Sequence, residues 1–285
     1  MSMILKAKPV IATLKDQLLQ EVSQLITQGI TPTLGIIRVG NRPDDMYYEN
    51  SIVKNCRSVG AKAKIYALDK NIELEEFTEK LQEVNNDREV RGILILRPLP
   101  PQLDAKIIDG MIDPDKDIDG MNPLNIAKIL GGDTTGLVPC TVAAVMEVLK
   151  YYNIRLRGTN VAMVGASMVV GKPLSMMLLK ENATVTMCHI ETKNVPEITR
   201  KADVIVVAIG KAKLIDARYI TSKSVVIDVG INQTEDGRIC GDVDFEAVKD
   251  KVQAITPVPG GVGSVTTVML LKQLVKACLS QPVLV

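Results

Sequence analysis

Tryptophan is absent from the 285 residues, aromatic side chains amount to 3%, and histidine occurs once. So few rings exclude a surface built to stack the bases of a single strand. A one-signed charge is lacking too: 34 basic residues balance 33 acidic ones, which leaves no basic excess for a phosphate backbone. The five cysteines (Cys56, Cys140, Cys188, Cys240, Cys278) are scattered and never spaced as C-x-x-C. With His189 as the lone histidine they assemble no zinc set, so no metal is expected. They read as small core residues in a reducing compartment. No uninterrupted apolar run reaches the ~18 residues of a membrane span, and Met1–Val10 has no signal-peptide core. The expectation is a soluble, cytoplasmic protein without membrane or nucleic-acid partners.

What is present is apolar content, 46% of residues, enough for one large domain or two modest ones. Strand-like and helix-like stretches alternate, which predicts α/β architecture on mainly parallel sheets. Val10, Leu14, Leu18, Val22 and Leu25 repeat at helical spacing until Gly29. Strands are predicted at 34–39, 64–68 and 92–96, with helices over 44–59 and 73–86 between them. From Leu99 to Pro123, prolines, glycines and aspartates dominate, a composition that suggests a domain boundary or an active-site loop. A helix near 137–151 leads to strands at 160–164, 184–188, 203–208 and 225–229, and a helix over 265–280 ends the pattern. Two α/β lobes with a cleft between them is the simplest arrangement.

Asn160-Val-Ala-Met-Val-Gly-Ala-Ser-Met-Val-Val-Gly-Lys-Pro173 reads as strand, glycine turn and helix start. Gly165 allows the turn, Ser167 is a natural N-cap, and Gly171 permits close helix–strand packing. Together they aim backbone N–H groups at a pyrophosphate. The spacing is G-x-S-x-x-x-G rather than G-x-G-x-x-G, so a glycine turn of any α/β protein remains an alternative. The next strand ends in His189-Ile190-Glu191, an acid 20 residues beyond Gly171. Such an acid accepts from ribose hydroxyls and repels a 2′-phosphate; otherwise Glu191 is a solvated loop charge. Strands ending at Gly210 and near Ile231 complete the doubly wound pattern. Ile255-Thr-Pro-Val-Pro-Gly-Gly-Val-Gly-Ser-Val-Thr266 is stiff at its prolines and permissive at its glycines. That suits either a ligand loop or a linker.

In this order the segments resemble the bifunctional methylenetetrahydrofolate dehydrogenase/cyclohydrolase family along essentially the whole chain. The carrying motifs are Pro114-Asp-Lys-Asp-Ile-Asp-Gly120, Pro139-Cys-Thr141, Val164-Gly-Ala-Ser167 with Val170-Gly-Lys-Pro173, Ala183-Thr-Val-Thr-Met-Cys-His189, Ile227-Asp-Val-Gly-Ile-Asn232 and Thr256-Pro-Val-Pro-Gly-Gly-Val-Gly263. The resemblance implies a folate-binding lobe (1–118 plus 267–285), a Rossmann-like nicotinamide-binding domain (119–266), and a homodimer. It implies a pterin flanked by Tyr48, hydrogen-bonded by Asp119 and covered by Pro259, Gly260 and Gly261. Gly165, Ala166, Ser167 and Ile231 match the family's cofactor contacts, and His189, Glu191 and Gly210 join them at the strand ends. The implied reaction passes hydride from methylenetetrahydrofolate to NAD or NADP, with ring positioning as the protein's main contribution.

Three departures matter. The family's cyclohydrolase step relies on Tyr-x-x-x-Lys, yet four residues after Tyr48 stands Ile52. Lys54 lies about 240° around the helix, and Tyr47 has Ser51 at its i+4 position. The family's Gln-Leu-Pro-Leu-Pro reads Leu96-Arg97-Pro98-Leu99-Pro100, losing the glutamine. Ile190-Glu191 replaces the serine and base that commonly bind the 2′-phosphate in NADP-using relatives. The expectation is a dehydrogenase that prefers NAD and has weak or absent cyclohydrolase activity, unless Lys54 or Arg97 substitutes. Ser264-Val265, where the family often has Pro-Met, leaves the loop plausible. A fully bifunctional enzyme, a silent folate- or nucleotide-binding protein, and a dehydrogenase of a shikimate-like acid are the alternatives.

Overall fold

The computed structural model describes residues 2–234 and 236–281. The chain divides into two compact units: Thr13–Cys140 with the residues from Thr267 onward, and the residues up to Ala12 with Thr141–Thr266.

The first unit holds α1 (Ala7–Thr27, from Thr13 on), β2 (Thr33–Val39), α2 (Pro43–Ser58), β3 (Lys62–Leu68), α3 (Leu74–Asn86), β4 (Gly92–Ile95), α4 (Ala105–Met111), α5 (Pro123–Leu130) and most of α10 (Val262–Ser280). Its three strands pair in parallel in the order β3-β2-β4. Central β2 is buried at every residue, hence its nearly unbroken apolar run. Its one charge, Arg38, is paired with Glu49 of α2 at 2.8 Å. Phe77, Leu81 and Val84 of α3 pack with Ile37, Ile93, Ile95, Ile108 and Ile112 in one core. Full burial contributes about 1.5–3 kcal/mol for each such side chain.

The second unit holds β1 (Met3–Ile4), α6 (Cys140–Tyr151, from its second residue), β5 (Asn160–Val164), α7 (Gly171–Lys180), β6 (Thr184–Cys188), α8 (Val195–Arg200), β7 (Val204–Val207), β8 (Val225–Asp228), the hairpin β9 (Asn232–Gln233) and β10 (Ile239–Cys240), α9 (Phe245–Val248), and β11 (Ala254–Ile255). Six strands form one parallel sheet ordered β1-β11-β8-β7-β5-β6. The winding reverses at β5, between β6 and β7. The C-terminal ends of β5 and β7 therefore border the crevice where doubly wound sheets take their ligands.

The first unit extends past the expected border at 118/119 to Cys140, because 119–140 is tied back to it. Asp117 accepts from Asn122 N at 2.7 Å and from Asn125 Nδ2 at 3.0 Å, and Asn125 Oδ1 accepts from Leu137 N at 3.1 Å. The first dozen residues leave that unit because β1 adds to the six-stranded sheet, Met3 opposite Ala254. The stretch from Leu99 to Pro123, expected as a domain boundary or an active-site loop, contains α4 and ends where α5 begins. Asp104 caps α4 by accepting from Lys106 N, and Asn122 caps α5 by accepting from Leu124 N, each at 2.8 Å. Both caps, with Pro123 opening α5, were start signals that the density of turn residues concealed. Among the described residues α10 alone is long and apolar enough to cross a membrane, and most of it is buried within the protein.

Candidate active site

At the switch point β5 runs into Gly165, whose φ is +124°. A Cβ there would stand 2.1 Å from the carbonyl oxygen of Ala208, just beyond β7. Only glycine lets these two loops touch. Gly171 is equally constrained, since its Cβ would meet the Gly165 carbonyl oxygen at 2.1 Å. Its role is thus to seat the helix start on the glycine turn rather than on the strand. Ser167 is not the N-cap residue: α7 begins at Gly171 behind Val170. Ser167 Oγ instead accepts from Val170 N at 3.1 Å and more weakly from Gly171 N at 3.4 Å, closing the turn. The compact Gly165–Ser167 turn leaves the close backbone approach that a pyrophosphate requires.

His189 and Glu191 follow β6 in a short turn. His189 N donates to Thr192 Oγ1 at 2.9 Å, and Glu191 N donates to His189 Nδ1 at 3.2 Å. Ile190 is 87% exposed, and the Glu191 side chain is also exposed. Ile231, 63% exposed, keeps its room because a Cβ on Gly263 would meet Ile231 Cδ1 at 2.8 Å.

Two buried carboxylates that the sequence reading missed hold these loops. Asp242 accepts from Ile209 N (2.6 Å), Gly210 N (3.0 Å), Lys211 N (2.9 Å) and Asn232 Nδ2 (2.9 Å). Asp228 accepts from Gly230 N (3.0 Å), Asp242 N (3.1 Å) and Val243 N (2.9 Å). Burial nonetheless pushes the Asp228 carboxyl up to about 6, and the neighbouring Asp242 charge adds to it. Each carboxylate packs where a Cβ on Gly230 or Gly241 would collide with it. Asp242→Ala is expected to cost about 2–4 kcal/mol by stripping acceptors from buried N–H groups, and to raise KM for the nucleotide. Denaturant unfolding checks it; an unchanged midpoint would refute the role.

In the first unit Tyr48 of α2 and Asp119 come together with Cys140. Tyr48 keeps 39% of its surface open. Its phenol is still pushed up to about 12, by burial first and then by Asp119 and Cys140, so the hydroxyl end is the sheltered one. Asp119 is pushed up to about 6 by burial and by Asp117 and Asp109, against the pull of Arg97 and a hydrogen bond with Cys140. Cys140 Sγ lies 3.3 Å from the Ile118 carbonyl oxygen, and burial drives its thiol well above the ordinary range. Gly120, at φ +66°, has no room for a side chain against Val138 and Pro139. Lys116 of the same motif turns away, donating to the carbonyls of Asn85 (2.6 Å) and Asp87 (2.9 Å).

Ile52 lies wholly buried on the face of α2 that also carries Glu49 and Cys56, whereas Lys54 is exposed. No helix distortion brings that lysine round. Leu96 is buried, its N–H donating to Ile37 O at 2.9 Å. Pro259, Gly260 and Gly261 belong to the second unit, where Gly260 O accepts from Ala7 N at 2.8 Å. Pro259 and Gly260 line a cavity of about 800 Å³ with Ile4, Lys6 and Phe245.

The sequence profile of the tetrahydrofolate dehydrogenase/cyclohydrolase catalytic domain matches residues 5–119, and that of the family's NAD(P)-binding domain matches residues 139–282. The chain belongs to the tetrahydrofolate dehydrogenase/cyclohydrolase family. It is 58% identical to the bifunctional protein FolD 1 of Desulfitobacterium hafniense over 281 residues, covering 99% of this chain and 100% of the relative. Its structure resembles the bifunctional FolD enzyme of Campylobacter jejuni with a TM-score of 0.95 at 40% identity, covering 98% and 99% of the two chains. The Trypanosoma brucei FolD structure, a complex with NADP and inhibitor, matches with a TM-score of 0.90 at 30% identity over 97% of each chain.

As a member of the tetrahydrofolate dehydrogenase/cyclohydrolase family, the chain carries the family's NAD(P)-binding domain over residues 139–282. Ile52 and Leu96 stand in the first unit, Ile190 and Glu191 in the second.

Proposed function

We propose that this protein is a methylenetetrahydrofolate dehydrogenase that oxidises its substrate to methenyltetrahydrofolate, prefers NAD over NADP, and has weak or absent cyclohydrolase activity. The observation that carries the last part is Ile52, fully buried one helical turn beyond Tyr48 while Lys54 points to solvent. General acid–base help in hydrolysis needs a transferable proton at that place, and an isoleucine has none. The Tyr48 phenol, held near 12, stays protonated at neutral pH and serves as a donor and a ring face, not as a base.

Bound nicotinamide supplies the hydride acceptor; the chain's residues orient and exclude. Gly165–Ser167 receive the pyrophosphate at a turn where a Cβ would collide with Ala208. Glu191 accepts from the adenosine ribose, and its charge repels a 2′-phosphate. Asp119 accepts from the pterin, and Tyr48 flanks it. Holding the two rings at reacting distance is the main catalytic contribution. A cytoplasmic homodimer is part of the same reading, supported by family membership.

The names of the relatives favour a second reading, a fully bifunctional enzyme. One assay separates the two: methylenetetrahydrofolate with NAD or NADP, following reduced nucleotide and methenyl product together. Accumulating methenyltetrahydrofolate and faster turnover with NAD are expected. Reduced nucleotide without methenyl accumulation would establish the bifunctional reading instead. Folate binding without turnover would point to a silent binding protein.

A further inference from the structure

Arg97 stands where the family's motif has leucine, and it is the cation among three carboxyl groups. It forms an ion pair with Asp109 of α4. A parallel bridge between Ile93 of β4 and Asp117 runs the Asp117 segment alongside the strand. Two residues beyond that strand, Arg97 therefore emerges beside the turn that carries Asp119. Its charge draws down the carboxyls of Asp117, Asp119 and Asp109 alike. Asp117 is committed to Asn122 and Asn125, and its Oδ1 is buried without a partner. Tyr48 from α2 and Cys140 from α6 complete the groups facing Asp119, and neither carries positive charge.

We propose that Arg97, which Asp109 shares in an ion pair, is a positioning residue that makes Asp119 a charged acceptor toward the pterin. The proposal rests on the reading that Asp119 binds the pterin. A carboxylate accepts from two neighbouring N–H donors, whereas a protonated acid presents one oxygen as a donor and loses that match. Burial and two neighbouring acids push Asp119 toward the neutral form, and Arg97 opposes them. Activity that needs the carboxylate falls as pH drops through the Asp119 pKa. Loss of Arg97 raises that pKa and moves the acidic limb to higher pH. Loss of the Asp109 charge does the reverse, because it removes a repulsive neighbour and frees the guanidinium.

The two single variants break the same ion pair but act on Asp119 with opposite sign, which separates this role from a structural one. The experiment is the pH profile of kcat/KM for methylenetetrahydrofolate at saturating NAD. Arg97→Leu is expected to shift the acidic limb up by about one pH unit. Asp109→Asn shifts it down, and Arg97→Lys stays close to the unsubstituted protein. Thermal unfolding of each variant checks folding; should Arg97→Leu not fold, Arg97→Gln and Asp109→Asn carry the comparison. Limbs that stay put, or move the same way in both variants, overturn the proposal. Asp119→Asn with an unchanged folate KM would instead overturn the reading beneath it.

Discussion

Ile52→Lys combined with Leu96→Gln is expected to raise hydrolysis of methenyltetrahydrofolate by ~10²–10⁴-fold, the usual worth of a positioned general acid–base group. A lysine at 52 would sit one turn from Tyr48, on the same face of α2 as Glu49 and Cys56. The site is fully buried, so the ammonium would lose hydration and its pKa would fall toward the range where proton transfer is efficient. Glutamine at 96 would give it a polar partner, since Leu96 already has its backbone secured by Ile37. The lysine alone should gain less and destabilise more, because a buried charge without a hydrogen-bonding neighbour is costly. Direct measurement of methenyltetrahydrofolate decay decides the matter. An unsubstituted protein that already hydrolyses it as fast as the double variant would show that another residue supplies the proton.

Replacing Ile190 and Glu191 by serine and arginine is expected to reverse the nucleotide preference, changing the ratio of kcat/KM for NADP over NAD by about 100-fold or more. The pair acts through charge. A carboxylate about 4 Å from a phosphate contributes about 1 kcal/mol per charge pair in bulk water and up to about 4 near a protein surface. Changing its sign doubles the difference. Ile190 and Glu191 are exposed, and the turn is held by backbone bonds involving His189 and Thr192. Stability should therefore move by no more than about 0.5 kcal/mol. The effect should weaken in high salt because the site is open. Faster turnover of NADP by the unsubstituted protein would remove the basis for this prediction.

How much of this was legible beforehand depended on whether the signal was local. The strands at 160–164 and 184–188 stand where the local sequence pattern placed them. Gly165 was recognisable because a strand leads into it and a helix follows. The helices α4 and α5 were hidden: their caps, Asp104 and Asn122, sit in a stretch whose prolines and aspartates also spell turns. Asp242 gave no signal at all. Its four donors lie 10 to 33 residues away in sequence, and nothing local distinguishes it from an exposed acid. The attachment of 119–140 to the first unit was hidden for the same reason, since it depends on Asp117 and Asn125 closing a polar network.

The sequence by itself determined the alternation of helices and parallel strands, the glycine turn after β5, and the isoleucine one helical turn beyond Tyr48. Each follows from residue type and short-range spacing: strands buried on both faces require continuous apolar runs, tight turns require glycine, and an isoleucine cannot carry a proton. Only the tertiary structure decided the charge state of the candidate site. Asp109, Arg97, Asp117, Asp119, Tyr48 and Cys140 arrive from separate segments, and what each does to the others depends on distance and shelter from water. Coulomb interaction and the cost of burial act through space, so they exist only once the chain has folded.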